Sequence, residues 1–144
     1  MRKRPELDEM LCFALYTASR QVGQLYRELL APWNLTYTQY LVLVALWRDE
    51  QLTVSSLGGQ LGLDSGTVSP LLKRMAARGL VERTREGGDE RLVTVRLTKR
   101  GRALQDELAD LPRCLGERLR LDAATAGDFT ARLHDLSRAI TTTN

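Results

Sequence analysis

Between Leu80 and Leu97 the periodicity of the chain switches from the three-to-four spacing of a helix to the two-residue spacing of a strand. Leu80, Val81, Glu82, Arg83 and Thr84 read as a strand, Glu86 to Glu90 as a Gly-Gly turn, and Leu92 to Leu97 as a returning strand. The result is a β-hairpin with a charged tip, set in a chain whose other periodic segments are helical.

The first of these carries Leu7, Leu11, Leu15, Ala18, Val22, Leu25 and Leu29 on one face and stops at Pro32. Thr36 and Gln39 form a capping-box start for a second helix through Tyr40, Leu41, Val44 and Leu46 to Trp47. Thr53 begins a third, short helix. It contains Gly58 and Gly59, each costing roughly 1 kcal/mol relative to alanine, so it must lean on its neighbours. Leu63, Asp64 and Ser65 make a polar turn and cap for a fourth helix with Val68, Leu71, Leu72 and Met75, ending at Arg78 and Gly79. With Ser65 as cap, Pro70 either bends this helix or moves its effective start towards Thr67. Thr98 caps a fifth helix carrying Leu104, Leu108 and Leu111, and a sixth starts near Thr125 with Phe129, Leu133, Leu136 and Ile140.

Two short helices, a tight turn and a hairpin are the order of a winged helix-turn-helix, whose second helix enters the major groove. The expected fold is therefore mainly α with a small β-hairpin wing. On this reading Ser65, Thr67, Ser69, Lys73 and Arg74 face DNA, joined by Arg85 on the wing. Short hydroxyls suit base edges and phosphates, and the cations neutralise backbone charge. Residues 73–102 hold ten basic side chains against four acidic ones, although the whole chain carries only +3. That segregation fits a polyanionic partner; a merely solvated charged face is the alternative.

The 144 residues, 43% apolar and 27% charged, suffice for one core. No apolar run is long enough to span a bilayer, and the opening MRKRPELDEM has no signal-peptide core, so a cytoplasmic location and no membrane partner are expected. Cys12 and Cys114 should then start as thiols. No metal-ligand cluster, phosphate loop or hydrolase triad is visible, and His134 reads as a helix-surface residue; neither a cofactor nor an enzymatic activity is expected.

Asp89, Arg91, Leu97, Thr98 and Gly101 stand in the spacing D-x-R-x5-L-T-x-x-G, which resembles the wing of MarR-type regulators. The resemblance implies that Arg91 reaches the minor groove, where a narrow groove attracts a guanidinium, and that Asp89 orients the basic residues of the wing. It also implies a homodimer on a palindromic operator. Residues 1–34 and 98–144 would supply the dimerisation helices and 35–97 the DNA-binding part of a single domain.

A second stripe on the first helix holds Cys12, Tyr16, Ser19, Gly23 and Tyr26. Cys12 and Tyr26 are about 21 Å apart at 1.5 Å per residue, so a site containing both must form between chains. The stretch Leu11 to Tyr16, Tyr26, and Leu35-Thr-Tyr-Thr-Gln-Tyr40 resemble the organic hydroperoxide resistance branch of the MarR family. The resemblance implies that Cys12 is the peroxide-reactive thiol and that Tyr26 and Tyr37 give it phenol hydrogen bonds from the other subunit, with Tyr16 shaping the pocket. Bonds of that kind favour a thiolate nucleophile. Apolar Phe13, Leu15, Trp33 and Leu35 would favour lipid-like or aromatic hydroperoxides. Cys114 fits the resolving thiol of a two-cysteine type, or else is an unrelated buried residue. As the resolving thiol it would have its mobility from Pro112 and Gly116, which weaken helix around it. Two rivals stand: a regulator of the same fold released by a small aromatic ligand, with Cys12 inert, and a thiol peroxidase, which leaves the hairpin and basic segment unexplained.

Overall fold

The computed structural model describes residues 6–85 and 92–142. The hairpin turn, with Asp89 and Arg91, lies outside the described residues. Contacts divide the chain into two compact units, one ending at Leu108 and the other starting at Ala109.

In the first unit a single 3-10 turn, Leu7–Glu9, precedes α1 (Leu11–Leu30). Leu7 is thus outside the long helix that its spacing suggested, because Met10 is extended and interrupts the run. A second 3-10 turn, Ala31–Trp33, takes Pro32 at its start and ends in left-handed Asn34 (φ 52°). Thr36 then opens α2 (Tyr37–Asp49) through the expected capping box: Gln39 N donates to Thr36 Oγ1 at 3.3 Å and Thr36 N to Gln39 Oε1 at 3.1 Å.

Thr53 caps α3 (Val54–Leu61) and also ends a three-residue strand, β1 (Gln51–Thr53), which the sequence did not announce. α4 (Ser65–Ala77) is capped by Asp64, whose Oδ1 accepts from Thr67 N at 2.9 Å. The cap is therefore one residue earlier than Ser65, and the helix continues through Pro70 instead of starting near Thr67. An acidic side chain at this position also suits the positive end of the helix dipole. β2 (Val81–Arg85) and β3 (Val93–Leu97) pair antiparallel, with Arg83 opposite Val95 and Arg85 opposite Val93. β1 adds to the other edge of β3, giving the order β1-β3-β2.

Thr98 caps α5 (Lys99–Glu107), and Leu104 of α5 with Leu43, Leu46, Leu57, Val68, Leu72, Met75 and Val95 forms the fully buried core of this unit. Two glycines let its parts approach. A Cβ on Gly58 would stand 2.9 Å from the Leu63 carbonyl oxygen in the helix-turn-helix, so the glycine that weakens α3 is what admits the tight turn. A Cβ on Gly101 would stand 2.2 Å from the Leu80 carbonyl oxygen. There Thr98 Oγ1 donates to Gly79 O at 2.6 Å, Thr98 N donates to Leu80 O at 3.1 Å, and Trp47 Nε1 reaches Gly101 O at 3.0 Å. The L-T-x-x-G half of the wing motif is thus a packing seal between the root of the hairpin and α5.

The fifth predicted helix stops at Glu107. Leu111 belongs to a separate helix of the second unit, α6 (Leu111–Leu119), followed by α7 (Ala123–Thr141), which begins two residues before Thr125 with Asp122 as cap. Pro112 does not weaken helix beside Cys114: it sits in the first turn of α6, where its missing N–H costs nothing. No described helix is long and apolar enough to cross a membrane.

Candidate nucleic-acid interface and sensor site

Ser65, Ser69 and Lys73 recur every four residues on one face of α4, and the β2 residues Arg83 and Arg85 share one face of their strand by alternation. Together they line a groove of about 480 Å³ between the helix-turn-helix and the wing. Four of the residues expected at DNA, Ser65, Ser69, Lys73 and Arg85, are thus brought to one cleft. Thr67 and Arg74 are exposed on α4 outside that lining. Arg83 was not singled out from the sequence. Its Nε is buried without a hydrogen-bond partner, a donor held in a cationic groove with nothing to receive it. The i, i+2 pairing of Arg83 with Arg85 was the signal available. The opposite face of the ribbon carries the Glu82–Arg96 ion pair at 3.4 Å.

Cys12 lies in the first turn of α1 and is an exposed free thiol; Cys114 is a half-buried free thiol in α6 of the second unit. One turn beyond Cys12, Tyr16 is exposed and its ring is covered by the Arg20 guanidinium, 5.5 Å from the centroid. Tyr26 and Tyr37, from α1 and the first turn of α2, stack with centroids 4.1 Å apart, and Tyr40 stands 5.9 Å from Tyr26. Tyr40 and its edge-on neighbour Trp47 extend the cluster beyond the residues expected there. Burial first, then Tyr37 and Tyr40, push the Tyr26 phenol up to about 12, and burial likewise raises Tyr40. Tyr26 therefore remains a hydrogen-bond donor throughout the physiological range. Cys12 and Tyr26 share one continuous α1, so no single chain brings them together. Beside the tyrosines an open groove of about 910 Å³ is lined by Ser19, Arg20, Gly23, Arg27, Tyr37 and Thr38 among others.

The backbone corner next to this groove is held from two sides. Arg78, at the end of α4, donates to Asn34 O at 2.7 Å, to Trp33 O at 3.0 Å and to Gln39 Oε1 at 3.4 Å. Trp33 Nε1 donates to Glu107 of α5 at 2.9 Å, and Arg100 with Trp33 holds that carboxyl below the usual carboxylate range.

Comparison with known proteins places this geometry. The pattern of a family described as transcriptional regulator SarA/Rot matches residues 24–108. The HTH-type transcriptional regulator TtmR of Methylorubrum extorquens is 51% identical over 110 residues, 76% of this chain and 56% of TtmR, so the match spans little more than half of that protein. The organic hydroperoxide resistance transcriptional regulator of Bacillus subtilis is 48% identical over 107 residues, 74% of this chain and 73% of the relative. Reduced AbfR bound to DNA has the same fold, with a TM-score of 0.81, 31% identity, and coverage of 96% of this chain and 94% of AbfR. The DNA-bound MarR of Escherichia coli shares the winged-helix fold, with a TM-score of 0.79 at 24% identity over 92% of this chain and 99% of that one. The chain belongs to the SarA/Rot family of transcriptional regulators.

Proposed function

We propose that this chain is a cytoplasmic, homodimeric repressor that holds a palindromic operator in its reduced form and releases it when an organic hydroperoxide oxidises Cys12. The observation that carries the reading is the division of the sensor: an exposed thiol at one end of α1 and a stacked pair of phenols at the other, about 21 Å away at 1.5 Å per residue. Antiparallel pairing of two α1 helices about a two-fold axis joins each thiol to the phenols of the other subunit and builds two equivalent sites. The regulator of B. subtilis named for organic hydroperoxide resistance supports the choice of oxidant.

On the DNA side α4 enters the major groove, with Ser65, Thr67, Ser69, Lys73 and Arg74 towards bases and phosphates, and Arg85, Asp89 and Arg91 act from the wing. On the sensor side the Cys12 sulfur attacks the outer peroxide oxygen and the O–O bond breaks, leaving a sulfenic acid and an alcohol. The thiol of Cys114 from the partner subunit then attacks that sulfur, the S–O bond breaks, water leaves and an intersubunit disulfide forms. The shift this forces on the dimerisation helices changes the separation of the two reading heads, which must match half-sites about 34–36 Å apart or a multiple of it.

Non-reducing electrophoresis after one equivalent of cumene hydroperoxide tests the chemistry. Wild type should run as a covalent dimer and return to monomer with dithiothreitol, whereas C12S and C114S should stay monomeric. A covalent dimer persisting in C114S would remove Cys114 from the resolving role. The groove of about 910 Å³, with Arg20 and Arg27 in its wall, favours a second reading in which a small anionic aromatic ligand releases DNA and Cys12 is inert. Under that reading C12S responds to its inducer like wild type.

A further inference from the structure

Arg78 is rooted in the tightest point of the recognition helix. Gly79 N donates to Ala76 O at 2.9 Å and Leu80 N to Met75 O at 3.0 Å, closing the helix end around a left-handed Gly79 (φ 69°). From that fixed point the side chain leaves α4 and grips the 33–39 corner, 44 residues away in sequence at Asn34. A planar guanidinium fork matches two successive carbonyls in a way that a lysine ammonium does not. Its third acceptor, Gln39 Oε1, also takes the Thr36 N–H that caps α2, and Gln39 is buried (6% exposed) among otherwise apolar residues. The next residue after the cap, Tyr37, is the one stacked on Tyr26. Any displacement of Tyr37 is therefore a displacement of the first turn of α2, of Gln39 and of the carbonyls that Arg78 holds.

We propose that Arg78 is a positioning residue that couples the Tyr26–Tyr37 pair to the recognition helix, so that each reports on the placement of the other. The coupling rests on the reading of α4 as the DNA-contacting helix and of the tyrosines as the sensor, and it runs in both directions by thermodynamic linkage. Because the Arg78 head is solvent-exposed, the contact acts through direction and adds little to stability. Arg78→Met should therefore fold normally.

The test exploits the DNA-to-sensor direction, which needs no oxidation. The full-length protein is labelled with 3-fluorotyrosine, the Tyr37 signal is assigned with Tyr37→Phe, and 19F spectra are recorded with and without a DNA duplex from its own upstream region. Binding should move the Tyr37 resonance in wild type, leave it in place in Arg78→Met at saturating DNA, and move it partly in Arg78→Lys. In parallel, the ratio of DNA affinity before and after hydroperoxide should shrink in Arg78→Met by up to about fivefold, the low end of allosteric couplings and as much as an exposed contact can transmit. A merely structural role would scale both affinities and leave the ratio unchanged. An equal Tyr37 shift in wild type and Arg78→Met, or no shift in wild type, overturns the coupling. If the shift depends on Arg78 but hydroperoxide leaves wild-type affinity unchanged, the coupling stands and the redox reading falls.

Discussion

Gly101 and Gly59 are both helical glycines, and they should answer substitution with opposite signs. A methyl at Gly101 meets the Leu80 carbonyl at 2.2 Å, and that oxygen already accepts from Thr98. Gly101→Ala should cost at least about 2 kcal/mol, by the overpacking rule. Nothing lies within 4 Å of a Cβ at Gly59, so Gly59→Ala should gain about 0.5–1 kcal/mol of helix propensity. Urea midpoints of the two variants measure both. Arg83 carries a different expectation. If its orphaned Nε is completed by a phosphate, Arg83→Gln should weaken binding on all sequences alike and flatten the slope of log K against log salt by about one unit per subunit. An unchanged slope would leave Arg83 a packing residue. For Tyr26 the pH dependence has a definite sign. A phenol raised to about 12 by burial contributes stability that is complete below its ordinary value of 10 and is lost as pH climbs through 12. Wild type should therefore lose thermal stability more steeply than Tyr26→Phe over that interval.

At the scale of elements, the legible features were the short-range ones. The Thr36–Gln39 box, the Thr53 and Thr98 caps and the hairpin strands depend on residues within a few positions of each other; the caps stand where their patterns put them, and the two strands each start one residue later, at Val81 and Val93. β1 was illegible because three residues carry no periodicity, and the strand exists only through pairing with β3, more than 40 residues away. Asp64 took the cap from Ser65 because both are good caps and only the backbone decides which is extended. The break between α5 and α6 lies in Leu108 to Asp110, where the leucine spacing runs on although the helix does not. Of the candidate site, the hydroxyls and cations of α4 were readable from spacing. Arg83 was readable only through its i, i+2 pairing with Arg85, and the contacts of Arg78 were not readable, because they depend on which distant backbone lies opposite.

At the scale of the whole molecule, α7 buries none of its residues in a single chain, and its apolar stripe is open, with Phe129 at 56% and Ile140 at 67% exposure. Leu11, Phe13 and Tyr16 are likewise exposed on α1. Such stripes on one chain point to a second copy. If the proposed dimer forms through these stripes, Phe129→Glu with Leu133→Glu should give a monomer in light scattering and weaken operator binding, since a lone reading head spans one half-site. The proposed sensor makes the same demand, because Cys12 and Tyr26 stand at opposite ends of α1 and one chain alone does not bring them together.

The central claim, that Cys12 chemistry controls DNA occupancy, is tested most directly by fluorescence anisotropy of the reduced protein on DNA from its own upstream region, before and after an organic hydroperoxide, with Cys12→Ser alongside. Release of wild type, reversal by dithiothreitol and retention of DNA by Cys12→Ser are the predicted results. Equal release of both proteins, or of neither, would contradict it.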